Sequence, residues 1–401
     1  MNSPLIGLAT LARMAYQRES FTPLTEQLLN RLAENDSDAN ALLDFSMALH
    51  LSDQTALAQA MQAEALGIQQ VFTLSNTLGL PESETLHVLA FMIPGDLTRN
   101  TAIEFLVEGS PITLHLVYVD PQNPLPAAIP DHDIAFVAIC ESAANHAVLM
   151  HLAEQTKIWP KPLINPASVI AEMGRDTTSL ALQGLPKTVS PITARADRPR
   201  LITLAAGAIY HNISWPMIIR PVDSHKGQGL AQLENRTALA NYLNQQSENS
   251  FFVAPYIDYR SADGLHRKYR VVLMDGQPYI CHLCIAEHWM LHYLSAGMSD
   301  ETPEGIKKRE EEASCFALFN QPEGFANQHA AAFAALHQRI GLPYIGLDCG
   351  EMPNGDLAIF EVDCGMTVHA MDPPECFPYK APQMRKVFDA FYRMLKSHAG
   401  Q

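Results

Sequence analysis

Residues 344–369 read YIGLDCGEMPNGDLAIFEVDCGMTVH. Two apolar runs flank Pro353-Asn354-Gly355-Asp356. Asn-Gly between such runs signals a hairpin, because both residues tolerate positive φ. With the turn centred between Asn354 and Gly355, Asp348 falls directly opposite Glu361. Side chains alternate along a strand, so Glu361 and Asp363 point the same way. Three carboxylates therefore share one face, with cross-strand neighbours about 5 Å apart. Like charges that close need a cation, a shared proton or basic partners. Oxygen donors without His or Cys on that face suit magnesium. The alternative is an acidic face balanced by Lys and Arg; the apolar neighbours favour burial and the metal reading.

Working outward, the helix expected over about 327–340 leads into this hairpin, and an amphipathic helix over 384–397 ends the chain. Upstream, residues 268–273 (KYRVVL) form a strand opening on two cations, which turns at Asp275-Gly276 into a second strand over 279–285. Residues 299–320 are acid-rich and read as a solvated loop or exposed helix. Residues 251–258 (FFVAPYID) are an apolar strand, and 215–229 (WPMIIRPVDSHKGQG) a strand running into a glycine-containing loop. Before these, HVLAFMI at 87–93 is a continuous apolar run, hence a buried strand. Helix 98–108, strand 112–119, a proline-rich loop, strand 134–140 and helix 142–155 follow. That alternation predicts a parallel sheet with helices on its faces. Residues 1 to about 80 read as helices, with Asn35-Asp36-Ser37-Asp38 as a break and cap before the helix from Ala39.

The 401 residues exceed one ordinary core, so several domains are expected. An apolar fraction of 47% and a charged fraction of 17% fit a soluble globular protein. The net charge of −16 argues against a nucleic-acid backbone or an anionic membrane as partner. No apolar run reaches membrane-spanning length, no signal-peptide pattern opens the chain, and the seven scattered Cys read as reduced cytoplasmic thiols. Neither G-x-G-x-x-G after the first strand nor a G-x-x-x-x-G-K-[ST] loop occurs.

The order of these segments resembles the ATP-grasp superfamily, in particular glutathione synthetase and RimK-type carboxylate–amine ligases. Asn165-Pro166 with Arg175-Asp176 resembles the family's linker. Ile218-Ile219-Arg220-Pro221 resembles its phosphate-binding strand, with Arg220 in place of Lys. Ser224–Gly229 resembles its glycine loop, and Val253–Ile257 the hinge that holds adenine. Arg270 matches an Arg beside the transferred phosphate. Asp348, Glu361 and Asp363 fall in its metal motif, with Asp363 in place of Asn. Thr177 stands where a second phosphate Lys is usual.

The resemblance implies an α/β (α+β) fold: two ATP-grasp lobes at 191–258 and 259–401, a parallel pre-grasp domain at 81–190, and a helical segment at 1–80. That last segment is weakly similar to tetratricopeptide hairpins and is read as a docking or dimerisation module, or as a cap on the next domain. The resemblance further implies an ATP- and magnesium-dependent ligase that joins a carboxylate to an amine on an amino acid or peptide. A small-molecule kinase and a nucleotide-binding scaffold are the alternatives. ATP contacts are expected from Arg220, Ser224, Lys226, Gly227, Gly229, Pro255, Tyr256 and Ile257. Substrate contacts are expected from Lys268, Arg270, His288 and His369. Arg220 and Arg270 are the catalytic pair, and Asp348, Glu361 and Asp363 hold Mg2+. Cys281 and Cys284 read as core thiols. His288 with His292 has a spacing that can bind zinc, but packing is the leading reading.

Overall fold

In the computed structural model the described residues are 4–209, 214–224, 227–291 and 293–400. Lys226, expected at the nucleotide, and His292, expected beside His288, lie outside them. The chain divides into two compact units: Met1–Ala171 with Leu342–Tyr344 and Cys364–Gln401, and Glu172–Gly341 with Ile345–Asp363.

The first unit opens with helices α1 (Leu8–Tyr16), α2 (Thr22–Glu34), α3 (Ala39–Leu51) and α4 (Thr55–Ile68). Within the cap stretch 35–38, Asp38 is the residue that caps α3, accepting from the Ala41 N–H at 3.1 Å. Most of α3 is buried, because α1, α2 and α4 all pack on it. The N-cap of α1 is Gly7, which has no side chain to satisfy the orphan N–H groups of the first turn. Two buried acids hold the N–H groups at and before the helix start instead. Asp44 on α3 accepts from Ile6 N at 2.9 Å and Gly7 N at 3.0 Å, and Glu104 accepts from Ala9 N at 3.1 Å.

Strands β1 (Val71–Leu74), β2 (Leu86–Met92), β3 (Ile112–Tyr118), β4 (Ile134–Val137) and β5 (Leu163–Ile164) form one sheet in the order β1-β3-β2-β4-β5. All pairs are parallel except β1 with β3. The short antiparallel edge strand β1 lies inside the stretch read as purely helical. The helix expected over 98–108 shrinks to α5 (Ile103–Leu106). Asp96 turns the chain by accepting from Thr98 N at 2.8 Å, and Asn100 bonds both N and O of Ile93. Helices α6 (His146–Thr156) and α7 (Ala167–Ile170) follow. The C-terminal helix Lys380–His398 packs Phe391 5.8 Å from Phe136 and 5.4 Å from Tyr344, deep in this unit's core. Asn165 is fully buried and bonds the Tyr344 backbone twice, at 2.8 and 3.1 Å.

The second unit begins at Glu172, and its first helix is α8 (Arg175–Ala181). The next elements are β6 (Thr188–Val189), β7 (Ala194–Asp197), α9 (Arg198–Ala205), β8 (Met217–Pro221), β9 (Ala231–Leu233), α10 (Arg236–Gln245) and β10 (Ser250–Pro255). Strands β7-β10-β8-β9 form an antiparallel sheet, and its apolar side packs on α9 and α10 through Leu201, Leu204, Leu239 and Leu243.

The remaining elements are β11 (His266–Met274), β12 (Gln277–Ala286), α11 (Pro303–Leu318), α12 (Phe325–Gln328), α13 (Ala330–Ile340), β13 (Tyr344–Glu351) and β14 (Leu357–Asp363). Their sheet runs β12-β11-β13-β14-β6. The turn at Asp275-Gly276 is the two-residue hairpin expected, with φ of 48° and 79° and Met274 paired to Gln277. Residues 299–320 hold a regular helix, α11, whose Thr302 cap accepts from Gly305 N at 3.1 Å. Its buried residues are only Gly305, Glu312 and Phe316, too sparse an apolar stripe to announce it.

Candidate active site

The β13–β14 hairpin pairs Asp348 with Glu361, the register expected, but by another route. Its turn is not two residues long. Met352 N bonds Asp356 O at 2.9 Å and Gly355 N bonds Met352 O at 2.8 Å, and Gly355 is at φ 83°. The loop is therefore Pro353-Asn354-Gly355, centred on Asn354. That turn alone would set Asp348 against Phe360. A bulge intervenes: Cys349 pairs with Ile359 while Asp348 pairs with Glu361, leaving Phe360 as the extra residue. Phe360 and Glu361, consecutive in sequence, consequently both line one pocket.

That pocket, of about 210 Å³, lies within the second unit. Its lining is of two kinds. Ile218, Phe252, Tyr259, Trp289, Leu291 and Phe360 are apolar or aromatic, and Tyr259 and Phe360 pack at 4.5 Å. Arg175, Arg220, Lys268, Asp348 and Glu361 are charged. Pro255, Tyr256 and Ile257 also line it, and Tyr256 N bonds Pro216 O at 3.0 Å.

Asp348 is buried, yet it is held as a carboxylate. Burial pushes its pKa up, but Arg270 and Lys268 outweigh this and hold it well below the usual range. Arg270 forms a two-pronged bond to it, Nε to Oδ1 at 2.8 Å and a terminal nitrogen to Oδ2 at 3.0 Å. Lys268 Nζ stands 2.9 Å from Oδ2. Opposite, Glu361 is ion-paired with Arg175 on α8. Arg220 on β8 is pulled down to about 10 by burial first and then by Arg175, with Glu361 acting the other way. Four cations thus meet two carboxylates in a chain of net charge −16. The local balance favours an anionic ligand.

Ser224 holds Arg220 in place. Its Oγ accepts from Arg220 Nε at 3.2 Å and donates to Pro221 O at 2.8 Å, and its carbonyl accepts from Arg220 as well. Gly227 and Gly229 have φ of 75° and 65°. A Cβ at Gly229 would stand 2.6 Å from Pro221 Cδ, so glycine is required there on two counts.

Magnesium is tested by these donors. Carboxylate oxygens are the donors a hard cation takes, and Asp348 and Glu361 stand opposite each other in the hairpin. Both oxygens of Asp348 are engaged by Arg270 and Lys268, whereas Glu361 has the single ion pair with Arg175, so Glu361 is the better fit to an ion. Asp363 pairs with Gly346 in the ladder and is not part of the pocket lining. His288 is exposed, accepts from Met290 N at 3.1 Å, and also does not line the pocket. His369 belongs to the first unit, with its ring 5.6 Å from that of Tyr16. Cys281 and Cys284 are buried in β12, and burial pushes the Cys284 thiol up to about 12.

No protein-family model matches the sequence, and no curated protein matches it. Among solved structures the chain is similar to a RimK domain ATP-grasp protein from Sphaerobacter thermophilus, at 15% identity and a TM-score of 0.45, covering 78% of this chain and 100% of that one. It is similar to the D-alanine–D-alanine ligase of Bacillus anthracis complexed with ATP, at 12% identity and a TM-score of 0.46, covering 79% and 99%. It is also similar to the VanG D-Ala:D-Ser ligase of Enterococcus faecalis, at 11% identity and a TM-score of 0.46, covering 78% and 99%.

Several contributors to the pocket carry no signal in the sequence, among them Arg175, Tyr259 and Phe360. Arg175 lies in the linker-like segment, and nothing in its neighbourhood marks a site. Trp289-Met290-Leu291 follows β12 without a motif. Among the described residues no helix is long and apolar enough to cross a membrane.

Proposed function

We propose that this chain is a ligase of the ATP-grasp kind, activating a carboxylate with ATP and magnesium and coupling it to an amine on an amino acid or peptide. One observation carries the reading: Arg175, Arg220 and Lys268 share a pocket with Asp348, Glu361 and an aromatic wall. Aromatic and aliphatic side chains suit a nucleobase, and the cations suit its phosphates.

In this reading a substrate carboxylate oxygen attacks the γ-phosphorus, ADP leaves, and an amine then displaces phosphate from the acyl carbon. The protein supplies alignment and charge rather than a nucleophile. Arg220, locked by Ser224, faces the phosphate chain. Lys268, which lines the pocket, presents positive charge where the phosphoryl group is transferred, and Arg270, outside the lining, holds Asp348 in place. Glu361 would contribute to holding magnesium, which would supply positive charge to the transferred phosphoryl group.

The test is release of ADP from ATP in the presence of pooled amino acids and dipeptides. Turnover that needs both magnesium and an acceptor is expected, and Glu361→Ala should abolish it. Full turnover of that variant contradicts the site assignment. The scaffold reading draws on the engagement of Asp348 by two cations; ATP binding without ADP release under any acceptor would favour it.

A further inference from the structure

The two carboxylates of the pocket are not held alike. Asp348 has a side-chain exposure of 5%, and its partners Lys268 and Arg270 show 18% and 21%. Breaking such a pair strands a buried charge. The Arg175–Glu361 pair is more open, at 31% and 28%. A pair nearer to solvent contributes less and costs less to separate than a buried one. Asp348 with its two cations is therefore framework, and Arg175–Glu361 is the pair that can change hands.

Arg175 is also presented to the pocket by a helix that is otherwise tied down. Next to it, Asp176 faces Arg195 at 3.7 Å. The Thr177 hydroxyl turns back to the backbone, donating to Glu172 O at 2.7 Å and Gly174 O at 2.9 Å. Ser179 Oγ accepts from Thr193 N at 2.9 Å, and Gln183 donates to Ser190 O at 3.1 Å. Among the described residues Arg175 is the one member of α8 that lines the pocket. It is ion-paired with Glu361, and Arg220 and Lys268 line the same pocket. Three cations beside two carboxylates leave a positive excess that an entering anion relieves.

We propose that the Arg175–Glu361 ion pair is an exchangeable latch: an entering nucleoside triphosphate takes the guanidinium of Arg175 onto its phosphates, and the released Glu361 receives the accompanying divalent cation. This rests on the nucleotide reading of the pocket. It makes Arg175 a binding residue and couples metal affinity to phosphate binding at one side chain. Thr177 is not needed for that contact, since its hydroxyl is committed to the helix start.

Calorimetry tests it with the unreactive analogue adenylyl imidodiphosphate, with AMP as control, in magnesium and in EDTA. The native chain should bind the analogue more tightly with magnesium. Arg175→Gln should weaken the analogue at least about tenfold while leaving AMP unchanged. Glu361→Gln should bind the analogue more tightly than the native chain in EDTA, because Arg175 is already released, and should gain little from magnesium. Native affinity for the analogue in Arg175→Gln overturns the proposal. Absence of any analogue binding by the native chain overturns the nucleotide reading itself. If Arg175→Gln also loses AMP, its fold is disturbed and the Glu361→Gln arm decides: no gain in EDTA overturns the latch.

Discussion

Asp348 lies directly across the β13–β14 hairpin from Glu361, and each carboxylate is gripped by a different arginine, Arg270 for the first and Arg175 for the second. The same strand pair thus carries one buried, doubly paired acid and one half-open, singly paired acid. Their substitutions should behave differently.

Asp348→Asn leaves Lys268 and Arg270 facing a neutral amide in a buried site. Loss of one partner from a buried pair costs about 3–5 kcal/mol. Glu361→Gln removes one half of an open pair and should cost no more than about 1 kcal/mol. Urea unfolding of the two variants checks this, and equal midpoints would contradict the assignment of Asp348 as framework.

The N-terminal helix makes a pH prediction of unusual sign. Burial raises Glu104 to about 7 and Asp44 to about 6, against partial relief from the N–H groups of residues 6–9. A group with a raised folded value contributes stability that is fully present below its unfolded value and is lost as pH rises through the folded one. For Glu104 the window runs from 4.5 to about 7. At about 1.4 kcal/mol per pH unit the loss is on the order of 3 kcal/mol. Thermal melts from pH 5 to pH 8 should show a falling transition temperature, and Glu104→Gln should flatten that slope. Asp348 acts oppositely: its depressed value contributes stability above about 3.9, lost as pH falls through the folded value. A native melt that rises steadily from pH 5 to pH 8 would contradict the account of Glu104.

Gly229 and Gly227 separate backbone strain from crowding. Both sit at positive φ, which costs an alanine about 1 kcal/mol. At Gly229 the added carbon also meets Pro221, whereas at Gly227 it meets open space. Gly229→Ala should therefore displace β8, lower nucleotide affinity and melt earlier than Gly227→Ala. Matched melting curves and affinities would show that the Pro221 contact is irrelevant.

How much of this was legible in the sequence differs by element. The continuous apolar run at 87–93 announces the central strand of the first sheet, and Asp275-Gly276 announces the β11–β12 hairpin of the second unit, because both signals are local. The facing of Asp348 and Glu361 was read correctly through two offsetting departures. The turn at 353–355 is one residue longer than Asn-Gly suggested, and the bulge at Phe360 restores the register. Neither is visible in residue types. β1 and β6 are too short to carry a pattern, and β6 is defined only by its parallel partner β14. Arg175 was hidden for a related reason. Its role arises from where α8 packs against β14, a long-range contact that no spacing records. The metal reading of the acidic face had a rival in basic partners, and Asp348 has two of them.

The central claim is that the second unit's pocket grips a nucleotide triphosphate between its aromatic wall and its cations. A crystal soaked with adenylyl imidodiphosphate and magnesium tests this most directly. The account predicts a base beside Tyr256 and Ile257, phosphates on Arg220 and Arg175, and a metal peak against Glu361 whose ion pair has opened. An empty pocket at saturating analogue, or phosphates seated away from both arginines, would contradict it.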